Sequence, residues 1–282
     1  MPSSRRPAHN LWSHHSRRKT TRILARRTSP FVVRNPHYPP LPAWSAAPLP
    51  RTIYLTYKDA QLIPDSVVKN IADLNPDWRI QLFGDLECIA YLETHWPVEH
   101  VKHFKSIPDG PIRADFWRAC IMYTHGGCYL DADTVLRVPL DSLLSPAADV
   151  HTAGSVVPER LHDRKRHQWN PAIIIARPRT RIMARTVGRL LACSHMPYDY
   201  WRGSITYAMM EAASAEAGSA LPSNREGVYT TQAGESLRLL REVQDGDAVS
   251  RSVMSGKIHV MQNHNEDVYD NEKHEFKLAR PN

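Results

Sequence analysis

Apolar residues recur along 51–282 with two periods, one of strands and one of helices. Residues 52–57, Thr-Ile-Tyr-Leu-Thr-Tyr, are β-branched and aromatic and predict a strand. Pro64, Asp65 and Ser66 then open a helix to about Leu74, with Val67, Val68 and Ile71 inward and Asn75-Pro76 closing it. A second strand is predicted over 79–83 and helical segments over 85–95 and 98–106. Ile112, Phe116, Ala119 and Tyr123 return at three- and four-residue spacing, so they predict one apolar face of a further helix. Asp115, Arg118 and Met122 share a different face at the same spacing. Gly126 and Gly127 stop that helix, because its C-terminal turn needs a residue that tolerates positive φ. Cys128-Tyr129-Leu130 reads as a short buried strand ending on Asp131 and Asp133, whose side chains point the same way if the chain stays extended. Strands are expected over 150–157 and, as an Ile-rich run buried on both faces, over 172–176. A helix over 180–193 turns Ile182, Met183, Val187 and Leu190 inward, another opens within 201–206, and a last strand covers 257–261. Strand and helix alternating at this spacing predict an α/β fold with a mostly parallel sheet. Ligands of such sheets sit beyond the carboxyl ends of the strands, where Tyr57 and Asp131 both fall.

Charge divides the chain in two. Its 282 residues carry a formal +7, but residues 1–50 hold nine Lys and Arg and no acid, leaving 51–282 at −2. A basic nucleic-acid-binding domain is therefore not expected. Residues 35–50 contain six prolines and read as an extended linker, so we expect a basic tail and linker over 1–50 and one domain over 51–282. No apolar run is long enough for a signal peptide or an integral membrane span, and no N-x-S/T sequon occurs, which leads to a cytoplasmic expectation. The Arg- and Ser-rich, acid-poor start also has the composition of an organelle transit peptide. Cys88, Cys120, Cys128 and Cys193 show no C-x-x-C spacing and read as core thiols.

Two carboxylates at one strand end repel unless a cation or water separates them. In their helix–stop–strand setting, Asp115, Arg118, Gly126, Gly127, Tyr129, Asp131 and Asp133 form a seven-position pattern. This pattern resembles the DXD glycosyltransferases of the sugar-binding-region family, which includes initiating α-1,6-mannosyltransferases and has glucosylating bacterial toxins as relatives. The resemblance runs from about Pro50 to the end of the chain. It implies a GT-A type, Rossmann-like and mostly parallel central sheet, with helices on both faces and the DXD motif at a strand end. It further implies a retaining, metal-dependent transfer of a hexose from a UDP- or GDP-sugar to a glycan, lipid or protein acceptor.

On that resemblance, Asp133 would ligate Mn²⁺ or Mg²⁺ and Asp131 would contact the ribose and the metal's water shell. Asp115 and Arg118 would hold sugar hydroxyls or a phosphate oxygen, and Tyr129 would touch the ribose or phosphate. Tyr57 stands where the family stacks an aromatic on the nucleotide base, and also fits a half-buried rim residue. Asn170 stands where the family carries Asn near the active site, although Asn beside a strand is commonly a turn former. His259 would reach the metal and diphosphate, with His264 as competitor. The family's Ser-Trp after that His is replaced by Asn265-Glu266-Asp267. The run Arg177, Arg179, Arg181, Arg185 and Arg189 reads as a solvated face or a phosphate attractor. Two other readings fit parts of the motif: a haloacid-dehalogenase-like phosphatase using Asp131-Ala132-Asp133-Thr134, and a non-catalytic sugar-nucleotide- or glycan-binding relative. Eukaryotic members of the family commonly carry an N-terminal membrane anchor, from which this chain is expected to depart.

Overall fold

The computed structural model describes residues 47–156, 168–193, 203–244, 251–263, 269–270 and 275–276, all within the compact unit Asn35–Asn282. The basic segment 1–46 and Trp201, Arg202, His264, Glu266 and Asp267 lie outside the described residues. A mixed sheet runs through the domain. Its strands are β1 (Thr52–Thr56), β2 (Arg79–Phe83), β3 (Gly127–Leu130), β4 (Val135–Leu136), β5 (Val150–Gly154), β6 (Trp169–Ala176), β7 (Gly227–Thr230), β8 (Ser236–Gln244), β9 (Arg251–Ser255) and β10 (Ile258–Asn263). The order is β2-β1-β3-β6-β5-β8-β9-β10-β4, with β7 beside β8. Over the first six of these positions, β2, β1, β3, β5 and β8 run one way and β6 runs against them. The mostly parallel sheet expected from the alternation is therefore present, and β8 to β10 and β4 extend it as antiparallel pairs. Tyr269–Asp270 and Glu275–Phe276 form a separate hairpin, β11 and β12.

Both faces of the sheet are covered because strand residues alternate sides. Ile53, Leu55, Cys128, Leu130, Ile173 and Ile175 face Val67 and Ile71 of α1 (Asp65–Leu74) and Leu140 and Leu143 of a 3₁₀ turn. Tyr54, Tyr129 and Ile174 face the opposite core. That core is closed by α2 (Asp85–His95), α3 (Val98–Ser106), α4 (Gly110–Thr124), α5 (Arg181–Ala192) and α6 (Ile205–Ala217). Helix α4 differs from its expected amphipathic form. Every residue from Asp115 to Met122 is buried, because α4 packs against α2, α3, α5 and α6 while also covering the sheet. A helix enclosed on all sides shows little hydrophobic asymmetry, so its polar pair, Asp115 and Arg118, lies inside the protein.

Boundaries moved where tertiary contacts extend an element. The run expected over 172–176 begins at Trp169, which takes Asn170 into the strand, and the last strand extends to Asn263. Strands β7 to β9 had no reading in the sequence. Residues 47–50, placed in the linker by composition, touch the domain: Arg177 Nη1 donates to Ala47 O at 2.6 Å, and Leu49 packs on the α1-side core. Cys88, Cys120 and Cys128 are buried free thiols, as expected, and Cys193 is a half-buried free thiol. Four of the five arginines of the run pair with acids of the fold: Arg181 and Arg185 with Glu216 of α6, Arg189 with Glu211, and Arg177 with Asp149. Among the described residues, no helix is long and apolar enough to cross a membrane.

The helix stop tests the packing directly. Gly126 adopts φ +66, and a Cβ there would lie 2.6 Å from Ala176 O and from Pro178 N. Gly234 adopts φ +85 with nothing within 4 Å of its Cβ position. Gly234→Ala should therefore cost only the left-handed backbone strain, about 1–2 kcal/mol. Gly126→Ala adds a backbone clash and should cost about 3 kcal/mol or more, lowering Tm by roughly 6–12 °C. Equal Tm shifts for the two variants would refute the close approach of α4's end to β6.

Candidate functional site

Asp115 and Arg118 lie one turn apart on α4, so their side chains share a face. The Arg118 guanidinium is the centre of the cluster. Its Nη2 donates to Asp115 Oδ1 at 2.9 Å, and its Nη1 donates to Asp131 Oδ1 at 3.0 Å and to Pro171 O at 3.0 Å. It also lies over the Tyr129 ring, 4.3 Å from the centroid, while Tyr129 OH donates to the same Asp131 oxygen at 3.1 Å. A planar five-donor fork can serve two carboxylates, a carbonyl and a ring face at once; an ammonium cannot. Asp115 Oδ2 accepts the Ile205 N–H at 3.0 Å, so the same carboxylate holds the first turn of α6.

Burial grades outward through this cluster. Arg118 and Asp115 expose 7% and 10% of their side chains, whereas Asp131 exposes 28% and Asp133 is also half-buried. The acids therefore reach the surface at the β3 end with the cation behind them. Asp131 and Asp133 do not continue the strand, as the sequence suggested. The chain turns after Leu130, with Thr134 N donating to Asp131 O at 3.1 Å, and then enters β4. Both arms of this turn are held. Asp131 N donates to Ala172 O at 2.9 Å, continuing the β3–β6 ladder. Beyond the turn, Asn70 of α1 clamps Leu136, accepting its N–H at 2.9 Å and donating to its C=O at 3.2 Å.

The remaining candidates fall into place around the turn. Tyr57 is half-buried just past β1, its N–H donating to Phe83 O at 3.1 Å, on the end of the sheet that carries Asp131. Tyr129 is 1% exposed, burial raises its phenol well above the usual range, and it supports Asp131 from inside. Asn170 acts as the turn former that its residue type allows: its Oδ1 accepts Ala172 N at 3.2 Å, and its Nδ2 donates to Glu242 Oε1 at 2.6 Å. His259 is not brought to the acids. Gln262 pairs with Val135 and Met261 with Leu136, so the antiparallel ladder carries His259 away from Asp133, about 10 Å beyond the Gln262–Val135 pair at ~3.3 Å per residue. Among the described residues, no group of three or more His, Cys, Asp or Glu is placed to hold a metal ion. Reading the sequence missed Pro171, Asn70 and Glu242. Pro171 acts through its carbonyl, Asn70 through a side-chain amide on the backbone of a distant turn, and Glu242 is a single acid inside a strand with no motif around it; Ile205 lies in the 201–206 helix start that the sequence marked, and serves through its backbone N–H.

The opposite end of the sheet offers no rival. A cavity of about 320 Å³ lies there, among Leu49, Arg51, Asp149, His151 and Arg177. Its charges are consumed within the fold: Arg51 pairs with Asp141 and Arg177 with Asp149. His151 Nε2 accepts the Ser145 N–H, and burial, with Arg238 nearby, holds the imidazole down at about 4.

Burial pushes the Asp115 carboxyl up from 3.8 to about 6, against the lowering influence of Arg118 and of the Ile205 N–H. The folded state thus holds this proton more tightly than the unfolded chain. The group's contribution to stability is fully present below about pH 4 and is lost as pH rises through about 6. Asp115→Asn removes the titration. The stability of the wild type relative to this variant, measured by urea unfolding, should therefore fall by roughly 3 kcal/mol between pH 4 and pH 7. A difference that stays flat over that window would show that Asp115 is not buried as described.

Comparison with known proteins follows the same segment. Residues 65–148 match the family described as "Glycosyltransferase sugar-binding region containing DXD motif". The chain is 34% identical over 107 residues to the initiation-specific alpha-1,6-mannosyltransferase of Saccharomyces cerevisiae, covering 35% of this chain and 22% of that protein. It is 34% identical over 102 residues to inositol phosphoceramide mannosyltransferase 3 of Schizosaccharomyces pombe, covering 35% of this chain and 28% of that protein. The matched segment thus spans about a quarter of the length of these relatives. Among solved structures, the PaToxG glycosyltransferase aligns with a TM-score of 0.49 at 12% identity, over 61% of this chain and 71% of that one. Residues 65–148, the segment similar to that family's DXD-containing sugar-binding region, hold Asp115, Arg118 and the Asp131–Asp133 turn.

Proposed function

We infer that the chain is a metal-dependent, retaining glycosyltransferase of the GT-A type, moving a hexose from a nucleoside-diphosphate sugar to a glycan, lipid or protein acceptor. The observation that carries this reading is the Arg118-centred cluster. It presents Asp131 and Asp133 at a turn beyond β3, on the end of the sheet that also carries Tyr57. The relatives' names, alpha-1,6-mannosyltransferase and inositol phosphoceramide mannosyltransferase, support a mannosyl-type donor.

The donor set fits a hard divalent cation. Two half-buried carboxylates on one turn supply oxygen ligands suited to Mn²⁺ or Mg²⁺. Such ions are commonly held by one or two carboxylates plus substrate phosphates, so a third protein ligand is not required. Asp131 and Asp133 would hold the ion, and when bound it would stabilise negative charge growing on the departing diphosphate. Every other role belongs to the chain. Arg118 holds Asp131 in place by an ion pair at the half-buried edge of the cluster. Asp115 couples the cluster to the start of α6 through the Ile205 N–H. Tyr57 offers a ring for the nucleotide base.

The retaining outcome is supported by how the acids near the site are engaged among the described residues. Asp115 and Asp131 are both committed to Arg118, and Glu242, though close by, is 1% exposed and bonded to Asn170. We therefore assign the proton to the substrate: the donor's C1–O bond breaks with its electron pair going to the diphosphate. The acceptor oxygen then bonds to C1 from the same face, and its proton passes to a diphosphate oxygen. The product of an α-linked donor is then α-linked.

Two measurements test this reading. Asp133→Asn and Asp131→Asn should lower transfer from UDP- or GDP-sugars by at least ~10³-fold with the fold kept by circular dichroism, and EDTA should do the same, reversibly on adding Mn²⁺. Undiminished turnover in EDTA would remove the metal from the proposal. Proton NMR of the anomeric signal, recorded immediately after transfer, should show the α-product; a β-product would instead require an enzymic base opposite the leaving group.

A further inference from the structure

Glu242 of β8 is an unexpected place for a carboxylate. It is 1% exposed, and a buried acid costs several kcal/mol unless its oxygens are satisfied. Here they are: Oε1 accepts Asn170 Nδ2 at 2.6 Å, and Oε2 accepts the Val156 N–H at 2.6 Å. Its own backbone is gripped on both sides by Asn224, whose Nδ2 donates to Glu242 O at 2.9 Å and whose Oδ1 accepts Glu242 N at 2.8 Å. Gly154 makes room for this arrangement, since a Cβ there would stand 2.6 Å from Asn224 Cα. One carboxylate thus ties the exit of β5 and the entry of β6 to β8.

What it ties down is a break in the sheet. Thr152 pairs with Ile174, but its neighbour Ala153 pairs with Asn170, so 171–173 of β6 stand outside the ladder with β5. Bulges of this kind re-aim groups next to functional sites. From this bulge come Pro171 O, which holds Arg118, and Ala172 O, which receives the Asp131 N–H. Asn170 closes the bulge through Ala172 N, and Glu242 holds Asn170.

We propose that Glu242 is a positioning residue of the donor site: through Asn170 it sets the 171–173 bulge, whose carbonyls at 171 and 172 hold Arg118 and Asp131. The proposal rests on the glycosyltransferase reading for its consequence, and on hydrogen bonds alone for its geometry. It explains why an acid, rather than an apolar side chain, occupies the interior of β8. It also predicts a polarity swap. In Glu242→Gln the new amide group meets Asn170 donor to donor or leaves Val156 N unpaired. Combining it with Asn170→Asp rebuilds all three bonds with only the first reversed: the introduced glutamine donates to the introduced aspartate, which still accepts Ala172 N, and the glutamine carbonyl accepts Val156 N.

The experiment uses the full chain and two readouts. Without ligand, hydrogen exchange at the amides of Asp131 and Ala172 should be about tenfold faster in Glu242→Gln and return to the wild-type rate in the double variant. Calorimetric titration with Mn²⁺ plus UDP, and with Mn²⁺ plus GDP, should show affinity weakened about 10–100-fold in Glu242→Gln and recovered in the double variant. Unchanged exchange and unchanged affinity in Glu242→Gln would overturn the proposal. So would a double variant as weak as the single one, because that result means direct ligand contact by Asn170 or Glu242. If Glu242→Gln does not fold, Asn170→Ser cuts the same link from the other side and must speed the same two amides. Should the wild type itself bind neither nucleotide, the glycosyltransferase reading fails, and the exchange arm alone still decides whether Glu242 sets the bulge.

Discussion

A single guanidinium between two carboxylates organises this domain. Arg118 is almost wholly enclosed, as is Asp115, and neither charge could remain there without the other. A backbone carbonyl and a ring face complete the surroundings of the cation, and the Tyr129 hydroxyl and the first N–H of α6 donate to the two carboxylates. Its placement constrains the surrounding elements. Helix α4 must lie against the sheet where β3 meets β6, α6 must begin beside Asp115, and Tyr129 must point to the helix side of β3.

The geometry converts a buried ion cluster into a surface feature by grading exposure along one direction. Asp115 is enclosed and its proton is held up to about 6 by burial, whereas Asp131 and Asp133 emerge at the turn. Charge is therefore delivered to one end of the sheet, where the ends of β1, β3, β5 and β8 and the start of β6 converge. The bulge of β6 is the structural device that makes this work. Ala172 O continues the β3–β6 ladder to Asp131, whereas Pro171, in the stretch displaced from β5, has its carbonyl on Arg118. Elsewhere charge has a plainer use. The arginines of α5 bind the acids of α6, and the cavity at the far end of the sheet closes its ion pairs on itself.

Much of this was written in local patterns. The positions of α1 to α5, β1 to β3 and β6 followed from spacing, caps and stops, because these depend on neighbours within a few residues. Gly126 is the clearest instance: its positive φ ends α4 as a glycine pair after a helix should. The seven-position pattern from Asp115 to Asp133 likewise marked the chemistry, since it lies in one helix, one turn and one strand. The free thiols and the α/β class were also legible, the first from spacing and the second from alternation.

Tertiary structure decided what depends on distant chain. Asp115 and Arg118 look like an exposed i,i+3 pair in the sequence, and only the packing of four helices around α4 buries them. Asn170 carried two readings until β8 supplied Glu242, 72 residues away, as its partner. His259 stood in a persuasive local setting, yet the register of β10 on β4 carries it away from Asp133. Pro171 and Ile205 serve through main-chain groups, which every residue possesses and no sequence pattern distinguishes. The sequence by itself determined which residues were candidates for a site. Which of them meet, and which stand behind, was settled by strand register and helix packing, because burial and hydrogen-bond pairing are properties of the assembled sheet.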